Sequence, residues 1–144
     1  MFDLNSISTW IIIITCLFSI SAFSNHNLRN KSLFNAFMIK NRKEYYRFIS
    51  SGFIHANGLH LGLNMIVLFY FGYAVESFYS QIMQDSYIAK ASFILLYLGG
   101  LVASSIPDYL KYKDNHYFNS LGASGATSAV LFSFILFQPL SCLL

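Results

Sequence analysis

The stretch His55-Ala56-Asn57-Gly58-Leu59-His60-Leu61-Gly62-Leu63-Asn64-Met65, running on through Phe71-Gly72-Tyr73-Ala74-Val75-Glu76, decides how this chain folds. Across residues 59–78 the only charge is Glu76, near the end. An α-helix needs about 20 mostly apolar residues to cross a bilayer, so the segment reads as a membrane span. Its polar residues gather at the start. His60 and Asn64 stand four residues apart, which puts them on one helical face.

Working outward, three more segments have the length and apolarity of spans: residues 7–23, residues 87–106 with Lys90 near one end, and residues 121–138. A lysine in that position can snorkel to the interface. Pro139 is expected to end the last span, because proline lacks the donor that continues a helix. The first span could be read as a signal peptide cleaved near Ser19-Ile20-Ser21-Ala22. However, residues 1–6 carry Asp3 and no Lys or Arg, where a signal needs a basic start. A retained helix is the better reading. The long connection 24–58 mixes charges with aromatics, which suits amphipathic helical pieces at the membrane surface. The fold class is all-α, a polytopic bundle of about four spans forming one membrane domain over residues 1–144.

Composition agrees. Hydrophobic residues make up 56% of the 144 and charged residues 10%, against about 25% charged in soluble domains. Too few charges exist to coat a globule, so the lipid bilayer is the expected surroundings. The net charge of +3 comes without a basic block, which argues against nucleic acid as a partner. Cys16 and Cys142 sit in apolar runs without ligand spacing, so no metal and no cofactor is implied.

Polar residues inside a membrane are costly and tend to face the bundle interior. If the spans alternate in direction, the second and fourth enter from the same side. His60, Asn64 and the serine of Gly122-Ala123-Ser124-Gly125-Ala126 then lie at similar shallow depth. Gly122, Gly125, Ala126 and Ala129 on the fourth span, and Gly99, Gly100 and Ala103 on the third, allow close helix approach. A hydroxyl with amide and imidazole donors in one pocket suits acyl transfer. Each motif alone has a plainer reading. His60 and Asn64 could be interhelical hydrogen-bonding glue. The small-residue run could be packing, with Ser124 bonded back to its own helix.

Taken in order, three motifs resemble the rhomboid family. Tyr46-Arg47 in the first loop is followed by His55, then by His60-x-x-x-Asn64 entering the second span. Gly72 and Glu76 lie at the far end of that span, and Gly122-Ala123-Ser124-Gly125 opens the fourth. The resemblance covers residues 46–138. It implies a six-helix intramembrane serine endopeptidase that cleaves transmembrane segments of other proteins, in a bacterial inner (plasma) membrane. Ser124 would be the nucleophile, and His60, Asn64 and the Ser124 N–H the oxyanion hole. Arg47, His55, Glu76, Gly122 and Gly125 would be structural. Glu76 also has a simpler reading: sixteen residues beyond His60 is ~24 Å of helix, near the opposite interface where a carboxylate is cheap.

The family's general-base histidine lies on a sixth helix that this chain does not reach. His116, in the third connection, has no sequence feature directing it toward Ser124, and His26 belongs to the first loop. Without a base the 144-residue chain is expected to be inactive alone. The alternative is a rhomboid-like protein that binds transmembrane segments without cutting them, although retention of Ser124, His60 and Asn64 together weighs against a pure binder. A structural or transport subunit is a third reading; transporters place such sites at mid-membrane. Six Lys/Arg in the first loop and two in the third, against Lys90 alone on the other side, would put the Ser124 mouth in the cytoplasm. The resemblance implies the outside. The family is preferred here, because a partly embedded first loop is a poor topogenic signal.

Overall fold

The computed structural model describes residues 3–138. Among these described residues seven helices follow one another: α1 Ile7–Ser24, α2 His26–Ser32, α3 Ala36–Arg42, α4 Arg47–Ser50, α5 Gly58–Met83, α6 Ser86–Tyr112 and α7 Ser124–Phe137. Three of them, α1, α5 and α6, are long and apolar enough to cross a membrane; α7 is shorter and equally apolar. The first connection holds α2, α3, α4 and a 3₁₀ turn at Ser51–Phe53.

One buried face runs down α1 through Ser8, Ile12, Thr15, Ser19 and Ala22. The alternating spacing of four and three keeps these residues on a single stripe, and small side chains let the helix pack closely. Ser19 and Ala22, weighed above as a cleavage site, are both buried in the bundle. The core proper joins Ile12, Leu61, Met65, Leu68, Phe93, Tyr97, Leu101, Ala126 and Val130.

Three boundaries differ from the sequence expectation, each for a physical reason. Helix α5 runs to Met83 and contains a π-helical segment at Leu68–Gly72. There Gly72 lies against Ser8, leaving no room for a β-carbon. Helix α6 does not stop at Ile106 but continues through Pro107 to Tyr112. Proline removes one helical hydrogen bond. The added turns are held by Tyr109 and Tyr112, which pack with Phe34, Phe48 and Phe118, Tyr112 stacking on Phe118 at 3.7 Å between ring centres. Helix α7 begins at Ser124 rather than at residue 121, because Gly122 takes a left-handed φ of 113°. Pro139 lies outside the described residues.

The α6–α7 contact depends on small residues, but not on all of those named above. A β-carbon on Gly100 would meet Ala129 at 2.8 Å and the backbone of Ala126 at 3.0 Å. Gly125 accommodates Ser104 in the same way. Gly99 has nothing within 4 Å of its β-carbon direction, and Ala103 is exposed. The close seam is therefore Gly100 and Ser104, one turn apart.

Candidate active site

The first connection is built as a platform. Asn35 caps α3 by accepting from the Met38 N–H at 2.9 Å. Its amide group also donates to the carbonyls of His116 and Phe118. Phe34 and Ser120 exchange backbone hydrogen bonds at 3.0 and 3.1 Å, so the first and third connections are zipped together. Arg47, almost fully buried, donates to Glu44 at 2.6 Å and to the carbonyls of Asn30 and Leu33. A guanidinium with that many partners ties the end of α2 to the segment that carries Glu44 and Arg47.

From this platform the chain enters α5. The Asn57 side chain accepts from the His60 N–H at 2.9 Å, a standard N-cap. Asn64 follows one turn later, buried. Its amide group donates back to the His60 carbonyl at 2.9 Å, and its oxygen accepts from the Thr127 hydroxyl at 2.9 Å. The second amide proton of Asn64 is left over.

The loop before Ser124 is fastened by its backbone. Gly122 N–H donates to the Ser51 carbonyl at 2.9 Å, and Ala123 N–H donates to His55 Nε2 at 3.3 Å. Since Nε2 accepts, the ring proton sits on Nδ1. Nδ1 then donates to Ser19 Oγ at 2.9 Å, and that hydroxyl donates to the Phe53 carbonyl at 2.9 Å. Burial, with His60 beside it, lowers the His55 pKa to about 4, so the ring is neutral, as this relay requires.

His60 and Asn64 are thus held against residues on either side of Ser124, with no hydrogen bond from either side chain to the Ser124 hydroxyl. The His60 ring lies against Gly122, so that a β-carbon there would come within 2.6 Å of Cε1, and it sits edge-on to His55 at 5.0 Å. Asn64 is tied to Thr127, three residues beyond Ser124. Ser124 itself opens α7, a helix with no side-chain cap, so the first-turn amides keep free protons. Its side chain is exposed to a cleft of ≈ 400 Å³ lined by Ser104, Asp108, Ser120, Gly125 and Ser128.

Others do not meet it. Glu76 is at the far end of α5, where its carboxylate accepts from Ser6 Oγ, the Ile7 and Ser8 amides and Ser8 Oγ. It caps α1 from another helix. His116 packs its ring on Phe37 and Tyr117. Among the described residues no imidazole is hydrogen-bonded to the Ser124 hydroxyl, and none of their His, Cys, Asp or Glu groups gathers into a metal site. Sequence reasoning missed Ser19 and Thr127. The only available signal was a hydroxyl one or two turns from another polar residue in an apolar helix.

A buried face of small residues and three helices long and apolar enough to cross a membrane define an integral membrane protein of helical-bundle type. The rhomboid domain model matches residues 42–143, well over half of the chain. The protein belongs to the rhomboid family, which comprises intramembrane proteases and related inactive homologues. No curated protein and no solved structure matches the chain.

Proposed function

We propose that this chain carries the nucleophile and oxyanion pocket of an intramembrane serine endopeptidase acting on transmembrane segments of other proteins in a bacterial plasma membrane. One observation carries the reading. His60 packs on Gly122, two residues before Ser124, and Asn64 is bonded to Thr127, three residues after it. Side chains from α5 are therefore held against the residues on either side of Ser124, which supports an oxyanion pocket at its hydroxyl.

The chemistry follows from that arrangement. Ser124 Oγ attacks the scissile carbonyl carbon as its proton passes to a base. The carbonyl oxygen takes up negative charge and is held by the Ser124 N–H, the spare Asn64 amide proton and His60. Collapse expels the amine, which takes the proton, and water repeats the sequence on the acyl-serine. Fixed donors of this kind are worth about 10²–10³ each in turnover. The polar cleft gives water a route to a site between apolar helices. Residues 3–138 place no base beside Ser124, and His55 is already committed at both ring nitrogens. The alternative reading is a rhomboid-like protein that holds transmembrane segments without cutting them.

Co-reconstitution of the protein with a substrate bearing a helix-destabilised transmembrane segment separates the two. Cleavage that disappears in Ser124→Ala supports the protease. Capture of the intact substrate by both forms, with no cleavage, supports the binder and sinks the protease.

A further inference from the structure

At the membrane face opposite Ser124, the start of α1, the end of α5 and the start of α6 enclose a cavity of ≈ 590 Å³. That is well inside the roughly 300–1,000 Å³ of ligand sites. Three of its polar groups, Ser6, Tyr73 and Glu76, are already used. Glu76 accepts four hydrogen bonds from the start of α1, and the Tyr73 hydroxyl is bonded to Thr9.

What remains has a distinct chemistry. Lys90 is half-buried and has no hydrogen bond or ion pair among the described residues. It stands four residues into α6, ~6 Å along the axis at 1.5 Å per residue, the depth of lipid headgroups rather than acyl chains. Its ammonium is therefore available to an anionic group at that depth, since neither Asp3 nor Glu76 forms an ion pair with it. Around it are the exposed hydroxyls of Ser77, Ser80 and Ser86, all able to donate to an anion. Across the same cavity lies the Asp3 carboxylate, one oxygen of which accepts the Asn5 N–H.

We propose that this cavity binds a phosphoethanolamine group presented by a membrane lipid, with the phosphate on Lys90 and the serine hydroxyls and the ammonium on Asp3. The charges choose the ligand. Asp3, Glu76 and Lys90 leave the lining with one excess negative charge, which disfavours a headgroup that is anionic overall. A quaternary ammonium favours a cage of aromatic faces, and Tyr73 is the single aromatic among the described lining residues. A primary ammonium has three protons to donate, and carboxylate and hydroxyl oxygens are there to accept them.

The test follows thermal unfolding of the whole protein in lipid-free micelles, titrated separately with short-chain phosphatidylethanolamine, phosphatidylcholine and phosphatidylglycerol, and with O-phosphoethanolamine. Phosphatidylethanolamine should act at concentrations about tenfold or more below the other two lipids, the factor that one extra charge-assisted contact supplies. Lys90→Gln should weaken that response about tenfold. Asp3→Asn, outside the packed helices, should weaken it without weakening the response to phosphatidylglycerol, whose binding the lost negative charge opposed. Equal responses to the three lipids overturn the proposal, as does a phosphatidylethanolamine response unchanged in both variants. A response to O-phosphoethanolamine without one to the lipid overturns the lipid source.

Discussion

The imidazole of His60 rests on the α-carbon of Gly122, close enough that any β-carbon at Gly122 would occupy the space of the ring. Gly122 also has a φ of 113°, a left-handed conformation that side chains disfavour. Gly122→Ala meets both obstacles. It is expected to cost at least about 1–2 kcal/mol from the backbone alone and to displace either His60 or the Ser124 turn. Thermal unfolding should show the loss, and proteolytic turnover should fall by about 10² or more. An alanine variant with normal turnover would mean that the His60–Gly122 contact does not set the site.

Thr127 holds the Asn64 side chain in the orientation that leaves one amide proton free. Thr127→Val removes the hydroxyl at nearly constant volume, and hydrogen bonds between membrane helices contribute about 0.6–1.7 kcal/mol. A comparable drop in unfolding free energy is expected. Asn64→Ala should lose about the same stability and also about 10²–10³ in turnover. Turnover unaffected in Asn64→Ala would make that residue interhelical glue only.

His55 gives a pH dependence with a definite sign. Its pKa is lowered to about 4 in the fold against 6.5 unperturbed, so the unfolded chain binds a proton that the folded chain refuses. Stability is therefore full above pH 6.5, declines as pH falls toward 4 and levels off below that. The decline attributable to this residue is up to about 3 kcal/mol. His55→Gln, which keeps an acceptor and a donor but does not titrate, should flatten that segment of a melting-temperature profile. The same slope in wild type and variant would assign the dependence elsewhere.

Glu76 supplies from α5 the cap that α1 lacks in its own sequence. Glu76→Gln replaces one acceptor oxygen by a donor and removes the charge at a helix N-terminus. With charge-assisted hydrogen bonds worth about 1.5–3 kcal/mol each, a loss of roughly 3 kcal/mol is expected in chemical denaturation. Because the site is at the other membrane face, reaction of Ser124 in the remaining folded fraction should be unchanged. A Glu76→Gln protein that unfolds like wild type would show that the cap contributes little.

Much of this was legible in the sequence because lipid imposes a simple rule. Apolar runs near bilayer length mark the spans, and His60 and Asn64 stand out against them at helical spacing. Ser124 was harder: a serine among small residues looks like packing until the earlier motifs are placed beside it. The parts that stayed hidden are set by contacts distant in the chain. Helix α6 passes through Pro107 because aromatics from the first and third connections wait at its end. The π segment at Leu68–Gly72 faces Ser8, some sixty residues earlier. Ser19 and Thr127 gain their roles only from His55 and Asn64 across the bundle, and an isolated hydroxyl in an apolar helix does not announce a partner.

The central claim is that the Ser124 hydroxyl shares one pocket with His60 and Asn64 and acts there as a nucleophile. Labelling with a fluorophosphonate in native membranes tests it most directly, with the adduct located by mass spectrometry. The expected result is one adduct on Ser124, absent in Ser124→Ala and strongly reduced in Asn64→Ala. Unlabelled wild-type protein, or labelling that survives Ser124→Ala, would contradict it.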